Sequence, residues 1–152
     1  MKPKFINYYM DVAGRTSQLS HAVRLQVGAV IVKDNRILSY GYNGMPTGWE
    51  NDCEYKDYMT DAGGWLSPEE IYERWPLSEE VTKVTADGEE YKYNARYRLV
   101  TKDEVLHAEM NAISKVSGST ESSDGASMFC TTAPCIHCAK AIFQSEIGRA
   151  HV

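Results

Sequence analysis

Two short segments far apart in the chain constrain the fold more than anything else in it: His107-Ala108-Glu109, and Pro134-Cys135-Ile136-His137-Cys138. Cys135 and Cys138 are three residues apart, which on a first helical turn puts both thiolates on one face, within reach of one ion about 2.3 Å away. The positive end of that helix's dipole favours the ionised thiols. His107 stands at the start of another helix and would supply a third ligand through nitrogen. Two helix starts must therefore meet around one zinc ion. Three protein ligands leave the fourth tetrahedral position to water, the mark of a catalytic rather than a structural zinc. The ion would lower that water's pKa from 15.7 to about 7.

Other uses of the same residues stand beside this one. A lone C-x-x-C also serves as a redox pair or as half of a structural zinc knuckle, although no second C-x-x-C is present. Cys53 or Cys130 could fill the fourth position and close the site. Cys130 falls at the end of a predicted core strand, where a free cysteine behaves as a small hydrophobe. His137, inside the C-x-x-C, is an alternative ligand to His107. Glu109 need not bind metal. It can take a proton from the water in the open position, pass it to a ring nitrogen and then to a departing amine. Hydroxide would attack the carbon that bears the amino group, and ammonia would leave. H-x-E followed by P-C-x-x-C is the signature of zinc-dependent nucleobase deaminases.

The chain has 152 residues, enough for one domain around one core. No apolar run is long enough to span a bilayer. Met1-Lys2-Pro3-Lys4 has no apolar stretch behind it, so no signal peptide is expected and the expected compartment is the cytoplasm, that of the host if a phage encodes the chain. In that compartment closely spaced cysteines serve metals or redox chemistry more often than structural disulfides. A net charge of −5 argues against a general nucleic-acid binder, which would be basic.

Apolar residues from Phe5 onward recur at rough helical spacing and predict a helix over about 3–20. Val27-Gly28-Ala29-Val30-Ile31-Val32 reads as a buried strand, Asp34-Asn35 as a turn, and 37–42 as the partner strand of a hairpin. Gly41 to Gly48 is dense in turn formers and reads as a loop. From Trp49 to Lys102 the pattern decays, apart from a short helix starting at Ser67-Pro68. This stretch reads as an insertion at about 49–102 in a single domain spanning 1–152. Helices are predicted over 105–116 and 135–147, with a strand over 126–131 between them. The order of elements implies an α/β layered domain. The tail 147–152 reads like a translated sequencing-library adapter. On that reading it is non-native and carries no weight in reasoning about the fold; the alternative is a genuine short C-terminus.

At Val27–Val32, Gly41-Tyr42-Asn43-Gly44-Met45-Pro46, His107–Ile113 and Pro134–Lys140 the chain resembles the cytidine deaminase superfamily, and within it the deoxycytidylate (dCMP) deaminases of tailed phages and cells. The resemblance implies an α/β fold of three layers, α/β/α, around a mixed sheet, here expected to be C-terminally truncated because relatives continue into further strands. It implies Zn2+ on His107, Cys135 and Cys138, with Glu109 catalytic. It implies conversion of dCMP to dUMP and ammonia for thymidylate synthesis, activation by dCTP, inhibition by dTTP, and a homo-oligomer, often a hexamer. By the same resemblance Asn43 would bind the sugar. Arg24, just before the first strand, is a candidate for a phosphate contact or else a solvated helix-end charge, and Ala108 is a further substrate-binding candidate. Gly41, Tyr42, Asn43 and Gly44 would serve the effector. Some phage relatives hold a second, structural zinc; Cys53 and His21 fit it, without a full ligand set.

Two other functions use similar residues. A tRNA adenosine or polynucleotide cytidine deaminase would need a basic, aromatic surface. A non-catalytic, zinc-stabilised assembly module would have no use for Glu109.

Overall fold

In the computed structural model, residues 1–60 and 64–152 are described. The elements are α1 (Pro3–Ser17), β1 (Gly28–Lys33), β2 (Arg36–Tyr42), β3 (Glu54–Tyr58), α2 (Pro68–Arg74), β4 (Leu77–Val84), β5 (Glu90–Thr101), α3 (Ala108–Ser117), β6 (Ser127–Cys130), α4 (Ile136–Gln144) and β7 (Arg149–His151). They fall into two compact units, one made of residues 1–53 and 102–152, the other of residues 54–101.

The first unit is built on a four-stranded sheet in the order β2-β1-β6-β7. β1 is antiparallel to both neighbours and β6 is parallel to β7, so the sheet is mixed. Side chains of β1 alternate between faces, as strand geometry requires. Val30 and Val32 join Tyr9 and Ala13 of α1, with Phe129 of β6, in one cluster. Ala29 and Ile31 join Ala108, Ala112 and Val116 of α3, Ile142 of α4, and Met128 and Cys130 in the other. A central strand buried on both faces reads as an unbroken apolar run, and 27–32 does so. The result is three layers, α/β/α. Asp34 and Asn35 both take left-handed φ, 51° and 57°, the geometry of the two-residue hairpin turn.

Two glycines let the layers close. A Cβ on Gly28 would lie 2.1 Å from the backbone oxygen of Ala13, and one on Gly41 would lie 2.1 Å from that of Ala108. Only glycine admits helix backbone so near a strand. Gly28→Ala is therefore expected to cost about 3 kcal/mol by overpacking, read as a lowered urea midpoint. Wild-type stability in that variant would mean that α1 does not lie against β1 there.

The helices are shorter than the sequence predicts, for local reasons. α1 stops at Ser17, where the Thr16 and Ser17 hydroxyls donate back to the carbonyls of Val12 and Gly14. α3 starts at 108 because Leu106 forms a bridge with Gly44 instead. α4 stops at Gln144, and Glu146 turns the chain away with a φ of 57°. The segment after it is in the sheet. Arg149, Ala150 and His151 pair with Ser127, Met128 and Phe129, Gly148 donates to Ala126 O at 2.9 Å, and the His151 ring stacks on Phe129 with centroids 4.6 Å apart.

The second unit corrects the reading of 49–102 as patternless beyond one helix. It is a three-stranded antiparallel sheet, β3-β5-β4, with α2 between β3 and β4 in sequence. The signal was present: from Tyr91 to Leu99, apolar or aromatic residues at odd positions alternate with Lys92, Asn94, Arg96 and Arg98. Ser67 caps α2 as predicted, in a capping box with Glu70. Residues 54–101 carry eleven of the 21 acidic side chains and six of the 16 basic ones. The chain's net charge of −5 thus belongs to this unit, and the other unit is neutral.

Candidate active site

His107 and Cys135 occupy equivalent places, each the residue that precedes a helix with extended backbone. His107 is put there by the bridge just before it: Gly44 N donates to Leu106 O at 3.1 Å, and Leu106 N donates to Gly44 O at 2.8 Å. The Cys135 sulfur accepts from the backbone N–H of Cys138 at 3.5 Å, so the first turn of α4 is capped by a thiol. Both helices pack on the same face of the sheet through the Ala108, Ala112 and Ile142 cluster. Their starts meet for that reason.

His107 Nδ1 lies 3.6 Å from Cys135 Sγ and 3.4 Å from Cys138 Sγ. Donors on one tetrahedral zinc, with ordinary Zn–N and Zn–S lengths, stand about 3.6 Å apart. The nitrogen and the two sulfurs thus fit a zinc ion in spacing and in chemistry. Among the described residues this is the one cluster of three potential metal-holding groups. Cys53, His21, Cys130 and His137 are not in it. Cys53 is buried with Ala22 and Val105, and His137 is exposed on α4.

The two thiols do not respond alike, contrary to the expectation that the helix dipole ionises both. The Cys135 thiol is held below its ordinary range, chiefly by the backbone N–H of Cys138 donating to it. The Cys138 thiol is pushed up, first by burial and then by the negative charge of Glu109. A dication at these donors reverses that balance, because a coordinating thiol is deprotonated outright. Cys130 is pushed up to about 12, again by burial first and Glu109 second.

Glu109, one residue into α3 beyond Ala108, is 4% exposed. Carboxylates are rarely buried without a task or a partner. Glu109 follows His107 by two residues in the first turn of α3, and its charge helps raise both the Cys130 and Cys138 thiols. Ala108 is fully buried at the first position of α3, with its carbonyl against Gly41. Gly41 itself is accounted for by that close approach. Asn43 is heavily engaged: Oδ1 accepts from Val27 N at 2.8 Å, Nδ2 donates to Leu25 O at 2.9 Å, and its backbone oxygen accepts from Ser20 Oγ at 2.7 Å. Asn43 thereby braces the segment between α1 and β1 that exposes Arg24. Tyr42 O accepts from Asn111 Nδ2 at 2.8 Å. Neither that bond nor the Ser20 contact was read from the sequence, because each joins residues distant along the chain.

Residues 3–152 match the family model described as the cytidine and deoxycytidylate deaminase zinc-binding region. The deoxycytidylate deaminase of Enterobacteria phage T4 is 38% identical over 146 residues, 92% of this chain and 72% of that protein. The deoxycytidylate deaminase of Mycobacterium phage D29 is 31% identical, covering 97% of this chain and 93% of that protein. Among solved structures, dCMP deaminase from the cyanophage S-TIM5, in complex with dCMP and dUMP, superposes with a TM-score of 0.69 at 33% identity, covering 99% of this chain and 81% of that one. Together with a donor cluster that fits zinc and a buried glutamate beside it, these matches place the chain in the cytidine and deoxycytidylate deaminase family.

Proposed function

We propose that this chain hydrolyses dCMP to dUMP and ammonia, with zinc held by His107, Cys135 and Cys138 and with Glu109 moving the protons. The observation that carries the reading is the convergence of one nitrogen and two sulfurs at 3.4–3.6 Å beside a buried carboxylate. The choice of dCMP is supported by the relatives, which are named deoxycytidylate deaminases, and by the cyanophage enzyme seen with dCMP and dUMP.

Zinc, when bound, supplies Lewis acidity and a water with a pKa near neutrality. Glu109 would take one proton from the attacking water and deliver it to the ring nitrogen next to the carbon under attack. It would then move the remaining hydroxyl proton to the amino group, so that a carbonyl forms as ammonia leaves as a neutral molecule. One C–O bond forms and one C–N bond breaks. Burial keeps competing water from Glu109 and strengthens its interaction with the ring. Ala108, Asn43 and Arg24 are proposed to hold the base, sugar and phosphate. Asn43 has one N–H and one lone pair left beyond its internal bonds.

Regulation by dCTP and dTTP through Gly41, Tyr42, Asn43 and Gly44, assembly into a hexamer and a cytoplasmic location complete the proposal. Among the described residues no helix is long and apolar enough to cross a membrane.

Ammonia release from zinc-loaded protein tests it, with dCMP, CMP, deoxycytidine and an adenosine-containing tRNA hairpin as substrates, each with and without dCTP. Turnover confined to dCMP is expected, faster with dCTP. Turnover on the hairpin instead would move the chain to the polynucleotide deaminases. A zinc-loaded protein inert on every substrate would be an assembly module.

A further inference from the structure

The outer edge of β2 carries a ladder that the zinc motifs do not account for. Among the described residues, β2 has β1 on one side and no strand on the other, so alternate backbone groups on its outer side need partners from elsewhere. Three alternate positions find them on α3 and the segment leading into it. Tyr40 O accepts from Lys115 Nζ at 2.7 Å. Tyr42 O accepts from Asn111 Nδ2 at 2.8 Å. Gly44 exchanges both backbone hydrogen bonds with Leu106. Asn111 and Lys115 are four apart and share one face of the helix.

The middle rung differs from the other side-chain rung. The Lys115 bond is exposed, whereas the Asn111 bond is partly buried. The peptide after Tyr42 is also held from the opposite side, since Asn43 N donates to Val27 O at 3.2 Å. One peptide unit is therefore gripped by α3 through its carbonyl and by the chain leading into β1 through its N–H. From that unit hang the Asn43 bonds to Ser20, Leu25 and Val27, and with them the segment that exposes Arg24.

We propose that Asn111 is a positioning residue that sets the spacing between the Gly41–Gly44 loop and the start of α3. It would thereby align the part of the site proposed for sugar and phosphate with His107 and Glu109. This rests on the deaminase reading above. Asparagine suits the task because its amide donates to a carbonyl at a fixed distance from the helix. Aspartate has the same shape but presents an oxygen to that carbonyl and breaks the rung.

Steady-state kinetics on dCMP and on deoxycytidine, with zinc content measured on the same samples, test this. The proteins are the wild type, Asn111→Asp, Asn111→Gln and Lys115→Ala. Asn111→Asp is expected to lower kcat/KM for dCMP by about ten- to a hundredfold, the scale of an ångström of misplacement. It should also shrink the preference for dCMP over deoxycytidine while zinc content stays at the wild-type level. Asn111→Gln retains the donor and is expected to fall between the wild type and Asn111→Asp in that preference. Lys115→Ala should remain within about twofold, as an exposed contact. An unchanged preference in Asn111→Asp would overturn the proposal, whether activity were kept or fell equally on both substrates.

Wild-type turnover of dCMP separates this from the deaminase reading. Were the wild type inert on dCMP, amide exchange at Asn43 and Gly44 would decide the positioning role alone. Exchange at least about tenfold faster in Asn111→Asp supports it, and unchanged exchange refutes it.

Discussion

Glu109→Gln is expected to lower kcat on dCMP by about 10²–10⁴-fold, the span of general acid–base catalysis, while zinc content and the unfolding midpoint stay near wild type. The substitution keeps the volume and one acceptor of a side chain that is 4% exposed. It removes the group that accepts and returns protons. It also removes the negative charge that helps push up the Cys138 and Cys130 thiols, so the metal donors should tolerate it. Atomic absorption, thermal unfolding and a single-turnover assay on one preparation check all three points. Activity within about tenfold of wild type would assign the proton transfers to another group. Loss of zinc together with activity would make Glu109 a structural support of the donor cluster.

Cys138→Ser is expected to have the second large effect: zinc lost on dialysis and dCMP turnover lowered by at least about 10³-fold, because the ion's activation of water goes with it. Of the three donors Cys138 is the buried one; His107 is exposed and Cys135 intermediate. Its sulfur is 3.4 Å from His107 Nδ1, and its backbone N–H also caps Cys135. Removing it opens one side of the donor triangle, while serine keeps the main-chain cap. Cys130→Ala is the matched control. Cys130 is equally buried but stands outside the donor cluster, with a thiol pushed up to about 12, and its loss should leave zinc in place. A Cys138→Ser protein that kept full zinc would show that another residue completes the site, and Cys53 and His137 would be the next to substitute.

Most of the chemistry was legible in the residues themselves. A three-residue spacing of cysteines at one helix start, and a glutamate two residues beyond a histidine at another, are local patterns, because helix geometry alone sets each pair's spacing. The central hairpin was legible for the same reason: a doubly buried strand must be apolar on both faces, and 27–32 is. What failed was also informative. In β4 and β5 neither face is strongly buried, so the alternation carries tyrosine and charge rather than plain hydrophobicity, and the strands were missed. The ends of α1, α3 and α4 depend on hydroxyl back-bonds, a bridge to Gly44 and a left-handed Glu146, which no periodicity reports.

The sequence by itself determined the kinds of potential metal donor, the cysteine spacing and a carboxylate two residues beyond the histidine, since these follow from covalent neighbours and helical pitch. Tertiary structure decided that His107 reaches the two sulfurs, that Gly41 serves close packing under Ala108, and that Asn43 and Asn111 tie the loop between β1 and α3. It decided also that 149–151 pairs with β6 in the sheet. The physical reason is common to all of these: each joins groups tens of residues apart, and only the packing of two helices on one face of a twisted sheet sets the distance between them.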